Sequence, residues 1–166
     1  IEDEFGRIKG LMNKKISYIG YLIGNNRLIS KKSHEDKYVL VSVGGGNDGD
    51  EIIRNIIKFS KKIDRKIVIA KGPMNRNDYI KTDNIEYVSC INTNTYGKAS
   101  FIISMCGYNT FSEIIAAGIS PDRVLFIPRV TDNEQMIRAK IAANMGYQVS
   151  KINIGESIND FFKDIR

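Results

Sequence analysis

Between Met105 and Ala139 the chain reads MCGYNTFSEIIAAGISPDRVLFIPRVTDNEQMIRA, and its polar residues and glycines fall in an order suited to holding an anion. Gly107 opens the run Tyr108-Asn109-Thr110, with Glu113 behind it; Arg129 precedes Thr131-Asp132-Asn133, with Glu134 and Gln135 behind that. A glycine lets backbone approach a phosphate closely. A helix start adds unsatisfied N–H groups and the positive end of the peptide dipoles. Two such starts on one side of a parallel sheet make a pocket for a phosphate-bearing ligand of the nucleotide type.

Thr110-Phe111-Ser112-Glu113 also satisfies the capping-box pattern, in which the threonine hydroxyl accepts from the N3 amide and Glu113 reaches back to the Thr110 amide. On the residues alone that structural account is the stronger one. The functional account has Glu113 accepting from both hydroxyls of a ribose, through charge-assisted hydrogen bonds of about 1.5–3 kcal/mol each. Thr131-Asp132-Asn133-Glu134 repeats the pattern and leaves Glu134 with the same two readings. Gln135 is not needed for capping, and a second polar side chain at that helix mouth is what reading sugar hydroxyls requires.

Gly44-Gly45-Gly46-Asn47-Asp48-Gly49 matches the dinucleotide spacing G-x-G-x-x-G. The rest of that signature is missing: the next strand ends in Lys71 rather than an acid, and Asp48 and Asp50 would repel a pyrophosphate. A nicotinamide cofactor is not expected; a tight strand-to-helix turn, with Asp48 or Asp50 capping the helix, is the structural reading. Asp48-Gly49-Asp50 imitates a metal-binding D-x-D. Carboxylates opening a helix are expected on dipole grounds alone and no third oxygen ligand is suggested nearby, so no metal is expected.

The elements that must position these residues alternate. β-branched runs at 37–43, 66–70, 85–88, 101–105, 124–127 and 147–149 predict strands, and helices are expected at 50–63, 110–117, 133–145 and 157–165. A turn at Gly72-Pro73 and a polar connection over 92–97 separate the remaining pieces. Near-continuous apolar strands between amphipathic helices predict an α/β fold, a Rossmann-like doubly wound parallel sheet with helices on both faces, which binds ligands at the carboxyl ends of its strands.

Ahead of this domain, 38–166, the segment 1–37 reads as a leading helix with the stripe Ile1, Phe5, Ile8 and Met12, a short apolar strand over 16–23 and a polar linker. The opening Ile1 and the unpartnered stripe suggest a piece of a longer protein. The 166 residues suit one sizeable core. With no apolar run of membrane-spanning length and no leader pattern, a cytosolic product is expected. Cys90 and Cys106 lack metal-type spacing and read as buried reduced thiols. The net charge of +6 suits anionic partners, but the basic pairs are scattered without aromatic interleaving, so nucleic acid is not expected.

Taken together, VLVSVGGG at Val39–Gly46, the Gly72-Pro73 turn, Gly107-Tyr108-Asn109-Thr110 with Ser112-Glu113-Ile114, Ala117-Gly118, and Pro128-Arg129 followed by Asn133-Glu134-Gln135 and Arg138-Ala139 carry a resemblance. Residues 16–150 resemble the C-terminal half of family 28 glycosyltransferases, which include the MurG-like N-acetylglucosaminyltransferases of peptidoglycan synthesis. The resemblance implies half of a GT-B enzyme, with a nucleotide-diphosphate sugar, usually a UDP-sugar, held by this domain. It also implies roles: Glu113 on the ribose, Gly107, Tyr108, Asn109 and Thr110 at the diphosphate, Glu134 and Gln135 toward the donor sugar, backbone near Ile91 at the base. Gly44, Gly45, Gly46 and Asn47 would line the interdomain cleft, with Arg129 beside the sugar-reading pair.

Two departures stand out: Glu134-Gln135 replaces a pair of glutamines, and Tyr108-Asn109 replaces small residues. The general base of this family comes from the other domain, and the lone His34 lies in the expected linker, so no catalytic residue is named. The implied reaction is transfer of a hexosyl group from the donor to an acceptor hydroxyl without metal or cofactor, the acceptor being held by an N-terminal domain or partner subunit at the inner face of a membrane. A nucleotide-sugar-binding subunit dependent on a separate partner, and a nucleotide-sugar hydrolase or epimerase, are the alternative readings.

Overall fold

The computed structural model describes residues 38–46, 49–151 and 153–165. The expected leading helix, strand and linker, together with His34, Asn47 and Asp48, lie outside the described residues.

Six strands form one all-parallel sheet: β1 (Tyr38–Ser42), β2 (Lys66–Ala70), β3 (Ile85–Val88), β4 (Phe101–Met105), β5 (Val124–Ile127) and β6 (Gln148–Val149). Their spatial order is β3-β2-β1-β4-β5-β6. The chain winds outward from β1 to β3, then crosses back to β4 and winds the other way, so β1 and β4 are neighbours although Ser42 and Phe101 are far apart in sequence. Val39 pairs with Phe101 and Ser42 with Ser104. The connections after β1 and β4 lead to helices on opposite faces, so the carboxyl edge between them is the switch point at which such sheets bind ligands.

The helices are α1 (Asp50–Ser60), α2 (Thr93–Lys98), α3 (Tyr108–Ala116), α4 (Asn133–Asn144) and α5 (Ile154–Asp164). Alternation along the strands feeds two cores. Val39, Val41, Ile103, Met105, Leu125 and Ile127 pack toward α1 and α5, meeting Ile53, Ile56, Phe161 and Phe162. Leu40, Ile102, Val124 and Phe126 point the other way, toward Tyr96 of α2, Phe111 and Ile114 of α3, and Ala139 and Ala142 of α4. Each fully buried isoleucine or phenylalanine contributes on the order of 1.5–3 kcal/mol, which is why strands this short hold both layers.

Helix boundaries differ from expectation where local signals compete. The expected polar connection over 92–97 is largely α2, a six-residue helix without the apolar repeat that periodicity detects. α1 stops at Ser60, although Ile63 beyond it is still buried. α5 begins at Ile154, because Asn153 accepts from the Glu156 amide and caps it. Cys106 is buried as expected, but Cys90, just past the end of β3, is exposed; its strand ends before the thiol reaches cover.

Candidate functional site

The N-cap of α3 is Gly107, three residues earlier than the capping-box reading places it, and it makes no side-chain capping bond. Thr110 is thus inside the first turn and Glu113 in the second, so the Thr110–Glu113 box does not form. Phe111 donates its amide to the Gly107 carbonyl in ordinary helical fashion. The Tyr96 side chain lies close to both the Thr110 hydroxyl and Ser42 at the end of β1. Tyr96 is 2% exposed. Burial raises its pKa, and the nearby negative charge of Glu113 adds to the rise. Ser42, Tyr96, Thr110 and Glu113 are therefore gathered at the switch point from three separate elements, β1, α2 and α3.

The first turns of the helices distinguish the possible anion sites. α1 carries Asp50 and Glu51 there, α4 carries Glu134 and α5 carries Glu156. The first turn of α3 has no carboxylate, and neither has that of the six-residue α2; among the longer helices, α3 is the one whose positive end is not already offset by an acid. Asp50 does not cap α1, whose N-cap is Gly49. Asp50 turns away to the β2–β3 connection, accepting from Tyr79, from Asn75 at 3.2 Å and from Asn77 at 2.5 Å. The Tyr79 hydrogen bond leads the effects that hold its carboxyl below the usual range, against an opposing contribution from burial.

At α4 the cap is Asp132, which accepts from the amides of Glu134 at 3.0 Å and Gln135 at 3.1 Å. Gln135 is not spare, as the sequence suggests, but part of this cap. It is 6% exposed; its side-chain amide donates to Asp132 at 3.2 Å and its carbonyl accepts from the Arg129 amide at 3.1 Å. Both ends of Gln135 are committed to shaping the mouth. Glu134, whose side chain is 73% exposed, faces outward and pairs with Arg138 at 3.2 Å.

Arg138 links the two mouths. Arg138, 3% exposed on the inner face of α4, donates from Nε to the Cys106 carbonyl at 2.8 Å, in the turn that leads into Gly107. Gly44, Gly45 and Gly46 follow the end of β1, the neighbour of β4, and Ile91 lies beyond the end of β3, packed against the α2–α4 core. Sequence reasoning did not single out Tyr96 or Ser42, and it met Arg138 only within the family motif.

A hollow of about 440 Å³ opens on the α1/α5 side of the same edge, lined by Met105, Ile127, Pro128, Val130, Met136 and Ile154 with Glu51, Arg129 and Lys151 at its rim. It adjoins the α4 mouth but includes neither Gly107 nor Glu113. Among the described residues no cluster of histidine, cysteine and carboxylates could hold a metal ion, and no helix is long and apolar enough to cross a membrane.

No protein-family model matches the chain, and no curated protein matches it. Solved structures do. The glycotransferase of kitacinnamycin superposes with a TM-score of 0.61 at 14% identity, over 90% of this chain and 45% of that one. MurG of Acinetobacter baumannii gives 0.53 at 19% identity, over 81% and 45%. SnogD, a glycosyltransferase from Streptomyces nogalater, gives 0.51 at 15%, over 90% and 44%. The chain spans a little under half the length of each of these structures. Its fold is the Rossmann-like fold of one half of a GT-B glycosyltransferase, matching the C-terminal domain.

Proposed function

We propose that this chain is the donor-binding half of a glycosyltransferase that moves a hexosyl group from a nucleoside diphosphate sugar, with a UDP-sugar as the donor, to an acceptor hydroxyl. The observation that carries the reading is the α3 mouth: uncapped, free of acid in its first turn, and set against the glycine turn after β1 at the switch point of the sheet. The diphosphate lies on the Gly107–Thr110 turn, where helix amides stabilise the charge that builds as it departs. Glu113 holds the ribose, the backbone near Ile91 meets the base, and Glu134 faces the donor sugar. Gln135 acts from behind, fixing Arg129 and the α4 mouth. No metal is required, because the helix end supplies the electrostatic role.

The acceptor and its general base belong to a second domain or a partner subunit, working in the cytoplasm at a membrane surface. Met74, Tyr108, Val130 and Met136 support a cover over this edge, being large apolar side chains exposed around the crevice. Calorimetric titration with UDP, TDP and GDP tests the reading. UDP is expected to bind, and Glu113→Ala to weaken it about tenfold or more, the equivalent of one charge-assisted hydrogen bond. Absence of binding by all three nucleotides to the folded wild-type chain would overturn the donor site. Unchanged affinity in the alanine variant would remove Glu113 from it.

A further inference from the structure

We propose that Arg138 is a positioning residue that sets the diphosphate turn and the sugar-facing carboxylate together; the inference rests on the donor-site reading above. A guanidinium taken out of water costs several kcal/mol unless it is well paired, and an apolar side chain of similar volume often suits such a place better. Arg138 stands among Gln135, Ala139, Ile141 and Ala142 on the buried side of α4, where a methionine or leucine would pack. What it does there is bridge. Nε donates to the Cys106 carbonyl at 2.8 Å, and Nη1 donates to Glu134 Oε2 at 3.2 Å.

The first of these bonds fixes the plane of the Cys106–Gly107 peptide. With a planar trans peptide, a carbonyl held toward α4 sends the Gly107 N–H the opposite way, and the direction in which α3 starts follows. The second bond ties the exposed Glu134 carboxylate to the same guanidinium. One rigid fork thus joins the two contact points of the donor, and its charge lies beneath the turn that takes the phosphates. A lysine has the charge but only a single nitrogen, without the planar fork.

Titrations with UDP by calorimetry and with uridine by amide shifts in NMR separate this role from a general loss of structure. Arg138→Gln is expected to lower UDP affinity about ten- to a hundredfold, as for a lost charge-assisted hydrogen bond, while uridine binding stays within about twofold; Arg138→Lys falls between. Equal losses for both ligands, or no loss for either, would overturn the proposal. If the glutamine variant does not fold, the lysine variant carries the comparison. In the wild type itself, the Arg138 Nε–H resonance should shift with UDP and not with uridine, and a resonance unmoved by UDP would also overturn it. Failure of the wild type to bind UDP at all is a different result, and it defeats the donor site rather than the role of Arg138 within it.

Discussion

Gly72 rests against the backbone of Gly44: a Cβ at position 72 would lie 2.1 Å from the Gly44 carbonyl oxygen and 3.1 Å from the Gly45 α-carbon. The turn after β2 is thereby fitted to the glycine turn after β1, and neither can move alone. Gly72 also has φ +84. Asp50, Asn75, Asn77 and Tyr79 fasten the rest of the connection to the start of α1.

Gly72→Ala therefore meets both a backbone clash and a left-handed conformation, and should destabilise by about 3 kcal/mol or more. Gly118 gives the control. Its φ is +62, but a Cβ there would meet nothing within 4 Å, so Gly118→Ala meets only the conformational cost of about 1–2 kcal/mol. Urea unfolding of the two variants checks the difference, and equal losses would contradict the contact.

The Asp50 cluster predicts acid sensitivity. The folded carboxyl has a pKa below its ordinary 3.8, so its stabilising effect is fully present above that value and is lost as pH falls through the folded pKa. Stability followed from about pH 6 down to about pH 2 should fall less steeply in Asp50→Asn than in the wild type. At neutral pH, Asp50→Ala should cost about 1–3 kcal/mol, because the buried Asn75 amide loses an acceptor.

Asp132→Ala removes the acceptor for two α4 amides and for the Gln135 side chain. A melting temperature lower by roughly 2–4 °C is expected for a lost cap in a domain of this size. The Gln135 amide hydrogen bond leads the effects that lower the Asp132 pKa, so the difference between variant and wild type should shrink in acid as the native carboxylate protonates. A constant difference across pH would show that the carboxylate charge is not what holds the cap.

The two thiols should react very differently. Burial pushes Cys106 up to about 12, only partly opposed by the Arg138 charge, whereas Cys90 is exposed. A disulfide reagent at about pH 8 should label one thiol of the native chain quickly and the second only on unfolding. Cys90→Ser should abolish the fast phase, and its persistence would place Cys106 within reach of solvent.

What the sequence determined by itself was the run of elements. The strands at Lys66–Ala70, Ile85–Val88, Phe101–Met105 and Val124–Ile127 stand where the β-branched runs put them, because an apolar strand buried on both faces needs no partner to be recognised. Parallel order follows from alternation with helices for most of the sheet, while β2 and β3 are parallel without a helix between them.

Only the tertiary structure decided who serves which purpose at the carboxyl edge. Thr110 and Glu113 fit a capping box in sequence, yet the chain entering from β4 starts α3 at Gly107, which carries Thr110 into the first turn beside Tyr96. Gln135 reads as spare along the chain, yet the Arg129 backbone comes within its reach. Arg138 is of a residue type that ordinarily stays in water, yet α4 packs it over Cys106. Helix starts are settled by a few hydrogen bonds of about 1 kcal/mol each, so a partner distant in sequence outweighs the local pattern, whereas burial of whole strands involves far larger energies and leaves its mark in the residue types themselves.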